Sequence, residues 1–145
     1  MTPSAFFTDL EKEQIVAAVK QAELSTSGEV RVHIENHCKG ESLDRAAYVF
    51  DKLDMHKTEL RNGVLFYLAV VDRKFAIIGD GGINAKVPTD FWDAIKQTML
   101  EYFKEGKYAD GLSNGIIMAG EQLKEHFPYQ QDDVNELPDE ISFGN

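Results

Sequence analysis

The stretch 62-NGVLFYLAVVDRKFAIIGDGGI-83 decides the fold. Its first half, Gly63 to Val71, is a continuous β-prone run with no charged residue, the composition of a central strand covered on both faces. Asp72-Arg73 breaks the run as a tight turn, so Lys74 to Asp80 returns antiparallel as the second arm of a hairpin. The turn lacks the usual Gly, which leaves its type open.

Helices and one more strand surround this hairpin. Thr8 followed by Glu11 is a capping box that opens a helix of about sixteen residues, with Ile15, Val19 and Ala22 on its apolar side. After the turn "STSG", "EVRVHIE" alternates strictly, placing Val30, Val32 and Ile34 on one face and Arg31, His33 and Glu35 on the other. Ser42 is read as the cap of a second helix carrying Leu43, Ala46, Ala47, Phe50 and Leu53 at helical spacing. Thr89 is read as the cap of a third, running to about Lys104 and burying Phe91, Ile95, Leu100 and Phe103. A fourth carries Leu112, Ile116, Ala119 and Leu123 and ends near "HFP". The order α-β-α-β-β-α-α implies an α/β fold, a three-layer αβα sandwich around a small mixed β-sheet. One domain spans 1–127, and residues 128–145 form an acidic tail that Leu137, Ile141 and Phe143 equip to dock in part.

Composition narrows the function. The net charge is −10, and the tail alone contributes Asp132, Asp133, Glu136, Asp139 and Glu140 without a Lys or Arg. Such a balance argues against nucleic acid, whose binding rests on clustered basic residues, and suits a divalent cation or a basic protein partner. A single cysteine, Cys38, excludes an internal disulfide and reads as an inert thiol. The N-terminus lacks the charged and apolar regions of a signal peptide, and no apolar run approaches membrane-spanning length. The expected location is cytoplasmic, with no membrane insertion.

The loop "GDGGINAKVPTDFWD", Gly79 to Asp93, is the candidate for chemistry. Asn84 stands where a dinucleotide fingerprint requires its last Gly, and no Gly-Lys-Ser/Thr triplet follows as in a P-loop. An EF-hand fails at Gly82 and at Phe91, which occupies the position of the bidentate Glu. An irregular hard-cation site survives this test, with Asp80, Asn84, Asp90 and Asp93 as oxygen donors. The hairpin also places "DMHKTELRN" beside this loop, so that Asp54, His56, Thr58 and Glu59 would face it. Two facing acidic loops repel unless a cation lies between them. The alternative is structural: Gly81 and Gly82 permit positive φ, while Asp90 and Asp93 suit the positive end of a helix dipole.

Other signatures fail on spacing. Asp44 stands where a cysteine phosphatase needs its Arg, with Arg45 one residue late after Cys38. His33 and His37 do not share a helical face, and "LSNG" is not a nucleophile elbow.

Together, "AELSTSGEVRVHIE", "LDMHKTELRNGVLFYLAVVDRKFAIIGDGGI", "DFWDAIKQTMLEYFKEGKYADGL" and the closing helix resemble the TPM domain family, named for thylakoid lumen, photosystem II and MOLO proteins. The resemblance covers about residues 6–127. It implies an αβα sandwich and divalent-cation binding, calcium above all, near the loops at one end of the sheet. Some plant members have been assigned acid phosphatase activity, and the family is associated with accessory roles around photosystems and membrane proteins. The expected function is therefore a cation-binding regulatory or accessory module, with metal ligands among Asp54, Glu59, Asp80, Asn84, Asp90 and Asp93. A metal-assisted acid phosphatase and a protein-interaction domain using the acidic tail are the alternatives. The phosphatase would use Asp80 or Asp93 for metal and Arg61 or Lys86 near the phosphoryl group.

Overall fold

The computed structural model describes residues 2–129 and 135–144; Asp132 and Asp133 of the acidic tail lie outside the described residues. The elements are α1 (Asp9–Ser25), β1 (Glu29–Glu35), α2 (Ser42–Lys52), β2 (Gly63–Ala69), β3 (Lys74–Gly79), α3 (Gly81–Asn84), α4 (Asp93–Lys104), α5 (Tyr108–Leu123) and β4 (Ser142–Phe143). The sheet order is β3-β2-β1-β4, with β2–β3 antiparallel and the other pairs parallel.

Every residue of β2 is buried, as its unbroken apolar run requires. Val64, Phe66 and Leu68 join Val30, Val32, Ile34 and Ile77 in a core closed by α1, α4 and α5. Leu65, Tyr67 and Ala69 join Ala76 in a second core beneath α2, with Met55, Cys38 and Leu137. Burying a side chain such as Phe66 or Leu65 contributes about 1.5–3 kcal/mol, so the two cores hold the three layers together. No helix among the described residues is long and apolar enough to cross a membrane.

The capping box is present in full: Glu11 N donates to Thr8 Oγ1 at 3.1 Å and Thr8 N to Glu11 Oε1 at 2.9 Å. Four local expectations are corrected. Ser42 is the first helical residue of α2, behind Glu41, and makes no capping bond; Leu43 and Ala47 of that helix face outward. Thr89 does not open α4, because Pro88–Phe91 and Asp90–Asp93 close turns and helical bonding begins with Lys96 N to Trp92 O. The buried stripe of α4 is Ile95, Met99 and Phe103, which leaves Leu100 at the surface.

Candidate functional site

The hairpin register pairs Val64 with Gly79, and Asp80 N donates to Gly63 O at 2.9 Å. The loop before β2 and the loop after β3 therefore meet, as the antiparallel turn demands. Gly82 N donates to Arg61 O at 2.8 Å, and a Cβ at Gly82 would lie 2.6 Å from that oxygen and closer still to Leu60 O. The glycine is there for close backbone approach, not for positive φ.

At this junction Asp80 is neutralised from within the chain. Arg61, held in the left-handed region at φ 52, donates Nε and Nη2 to Asp80 Oδ2 and Oδ1, each at 2.7 Å. Gly81 N adds a third donor at 2.7 Å. Burial pushes the Asp80 carboxyl up, but the Arg61 fork and the Gly81 N–H outweigh it and hold it below the usual carboxylate range. Asp80 is 6% exposed and Arg61 54% exposed.

The other expected ligands are spread around this junction. Asn84 Nδ2 donates to Gly79 O at 3.0 Å, and Asp54 lies 3.4 Å from Lys57 Nζ. Asp90 and Asp93 are exposed. Glu59 is exposed, and its backbone N donates to Glu136 Oε2 at 3.3 Å. Among the described residues, no three His, Cys, Asp or Glu side chains form a group placed to hold a metal ion.

Glu59 leads to a second acidic cluster at the start of β1. Glu29 Oε1 accepts from Leu137 N at 2.8 Å and from Glu136 N, clamping the tail against the sheet. Glu23, at the end of α1, accepts from Val30 N at 3.1 Å and faces the Asp139 carboxyl, which accepts from Asn135 Nδ2 at 3.0 Å. Burial is the main force on Glu23, and the Asp139 contact adds to it, pushing the carboxyl up to about 9 against the pull of the Val30 N–H. Burial likewise pushes Glu29 up to about 7, opposed by the Leu137 and Glu136 N–H groups and reinforced by the Glu136 charge. Glu23, Glu29, Glu136 and Asp139 have no ion-pair partner among the described residues.

Glu23 and Glu29 line a pocket of about 170 Å³ together with Ser27, Tyr129 and Asn135, among others. Next to this pocket in the chain fold, Asn62 O accepts from Glu29 N at 3.1 Å and Asn62 Nδ2 donates to Ser27 O at 2.9 Å, while its buried Oδ1 has no hydrogen-bond partner among the described residues. Sequence reading misses Glu23 and Glu29 because they look like a helix end and a strand start. Their acidic partners lie more than a hundred residues further on.

These shifts fix the sign of a pH effect. Both glutamates have folded values above their ordinary 4.5, so the stability they contribute is complete below about 4.5 and lost as pH rises through about 7 and about 9. The cation-free chain should melt at a lower temperature at about pH 9 than at about pH 6.5, and Glu23→Gln with Glu29→Gln should flatten that slope. Thermal melts followed by circular dichroism measure it; an unchanged slope in the double variant contradicts the assignment.

At the opposite end of β1, Glu35 anchors a buried polar network. Arg45 donates Nε and Nη2 to it at 2.7 and 2.9 Å, and the Tyr67 hydroxyl donates to Oε2. His33 Nε2 lies 3.1 Å from Oε1, while His33 Nδ1 meets Ser142 Oγ of β4 at 2.8 Å. Burial pushes Glu35 up, but the donors from Arg45, Tyr67 and His33 prevail and hold it below its usual range. Cys38 lies buried beside this network as a free thiol.

A family model described as the TPM domain matches residues 1–122. The chain belongs to the TPM domain family. This TPM domain is 47% identical to the BA42 protein of the psychrophilic bacterium Bizionia argentinensis, whose NMR structure superposes with a TM-score of 0.91 over 96% of each chain. An N-terminal domain from P. gingivalis shares the fold at 17% identity and TM-score 0.72, covering 90% of this chain and 85% of that one. The N-terminal domain of cg2496 from Corynebacterium glutamicum does so at 12% and 0.61, covering 93% and 79%. A search of curated proteins finds no match.

Proposed function

We propose that this TPM domain is an accessory binding module that takes a divalent cation of the calcium class at the acidic end of its sheet. One observation carries the reading: two carboxyl pairs, Glu23 with Asp139 and Glu29 with Glu136, face one another at this end without an ion-pair partner among the described residues. Carboxylates and the Asn62 carbonyl are hard oxygen donors, the class that calcium prefers. Glu23 and Glu29 would release the protons that burial makes them hold, and the tail would be drawn closer to β1. Affinity therefore rises with pH. Glu59, whose backbone N donates to Glu136 Oε2 at 3.3 Å, is the expected ligand that this placement retains. The Arg61 fork leaves Asp80 already neutralised, which weighs against Asp80 as the anchor and against Arg61 as the phosphoryl-binding group of a phosphatase.

Calorimetric titration of the full chain with calcium chloride tests this. Binding should strengthen by about tenfold or more between about pH 6 and about pH 8, and Glu23→Gln with Glu29→Gln should abolish it while Asp80→Asn leaves it intact. Absence of heat at millimolar calcium overturns the reading. Loss of binding in Asp80→Asn alone returns the cation to the loops around Asp80.

A further inference from the structure

We propose that the groove between the β2–β3 turn and the α4–α5 junction binds a small monocarboxylate with an aromatic or short aliphatic body. The groove has a volume of about 300 Å³ and is lined by Arg73, Phe75, Leu100, Phe103, Lys104 and Tyr108. This size suits a small ligand.

Its floor is a fixed aromatic pavement. Phe75 meets Phe103 edge-on with ring centres 5.0 Å apart, and Phe103 stacks on Tyr108 at 5.0 Å. Gly111 of α5 makes the arrangement possible, since a Cβ there would fall 2.5 Å from the Phe103 ring. The pavement is therefore held from behind by a helix that leaves room for nothing else.

The rim supplies the charge argument. Arg73 and Lys104 are exposed, and neither has an ion-pair partner among the described residues. No acidic side chain is among the residues lining the groove. The acids next to it in sequence face elsewhere: Asp72 accepts from Cys38 N at 2.7 Å, and Glu105 holds Lys107 at 3.0 Å. In a chain of net charge −10, two free cations over an apolar floor mark a local reversal of sign. An apolar body covers the rings while its carboxylate meets Arg73 and Lys104, and a charge-assisted contact of this kind discriminates against a neutral isostere. A neutral or cationic ligand of the same shape would leave both cations without a counter-charge.

The test is an amide NMR titration of the full chain with phenylpropionate and hexanoate, using phenylpropionamide as the neutral control. Either carboxylate should shift Arg73, Phe75, Leu100, Phe103, Lys104 and Tyr108 together, with the amide weaker by about tenfold. Arg73→Asn, chosen because Asn tolerates the left-handed backbone at φ 55, combined with Lys104→Gln, should weaken the carboxylates by a similar factor. Absence of shifts at these residues at millimolar ligand overturns the proposal. So does equal affinity for carboxylate and amide, or an unaffected double variant.

Discussion

Gly82→Ala should destabilise the domain by about 3 kcal/mol or more, whereas Gly81→Ala one residue earlier should change stability by less than about 0.5 kcal/mol. A Cβ at Gly82 meets backbone carbonyl oxygens of Leu60 and Arg61, which cannot rotate away as a side chain would. A Cβ at Gly81 meets only the end of the Arg61 side chain, at 4.0 Å. Relief at Gly82 requires the two loops to part, which breaks Gly82 N to Arg61 O and disturbs the Arg61–Asp80 fork. Urea unfolding of both variants measures the contrast. Equal stabilities would show that the loops are not in backbone contact.

Glu35→Ala is the second large effect, at about 3 kcal/mol. Glu35 is 1% exposed and accepts from Arg45, Tyr67 and His33. Its removal leaves the Tyr67 hydroxyl and His33 short of a partner inside the protein. Arg45, 37% exposed, can turn toward water, so the cost falls on the buried groups. Arg45→Ala should therefore cost less, about 1–2 kcal/mol, because Tyr67 and His33 still satisfy Glu35. The double variant should match Glu35→Ala closely instead of summing the two losses, since both act on one network. Equilibrium unfolding of the three variants closes the cycle, and strict additivity would contradict a shared network.

The parts of this fold that periodicity reveals are those dictated by one segment at a time. The unbroken run Val64–Ala69 announces a strand buried on both faces, and the hairpin then brings the Arg61 and Asp80 loops together without further information. Capping at Thr8 is equally local. Alternation in β1 tells which side chains share a face, but not that the face of His33 and Glu35 is also covered; that depends on Arg45 of α2, Tyr67 of β2 and Ser142 of β4. Thr89 fails as a cap because the chain closes successive turns through Phe91 and Trp92, whose rings meet edge-on at 4.8 Å.

The candidate site divides in the same way. Apposition of acidic loops follows from strand register, yet its counter-charge comes from Arg61, a residue of the same loop that any count of carboxylates passes over. The acids left unbalanced, Glu23 and Glu29, meet Asp139 and Glu136 only because the tail returns to the edge of β1. No local pattern encodes that return. Burial then raises Glu29 to about 7 and Glu23 to about 9, which makes proton and cation compete for the same oxygens.

An amide NMR titration of the full chain with calcium at about pH 8 tests this competition most directly. The account predicts that shifts centre on Glu23, Glu29, Asn62 and residues 135–139, and that they fade as the pH is lowered to about 6. A spectrum unmoved at millimolar calcium, or one that moves around Asp80 and Asp93 while Glu23 and Glu29 stay still, would contradict it.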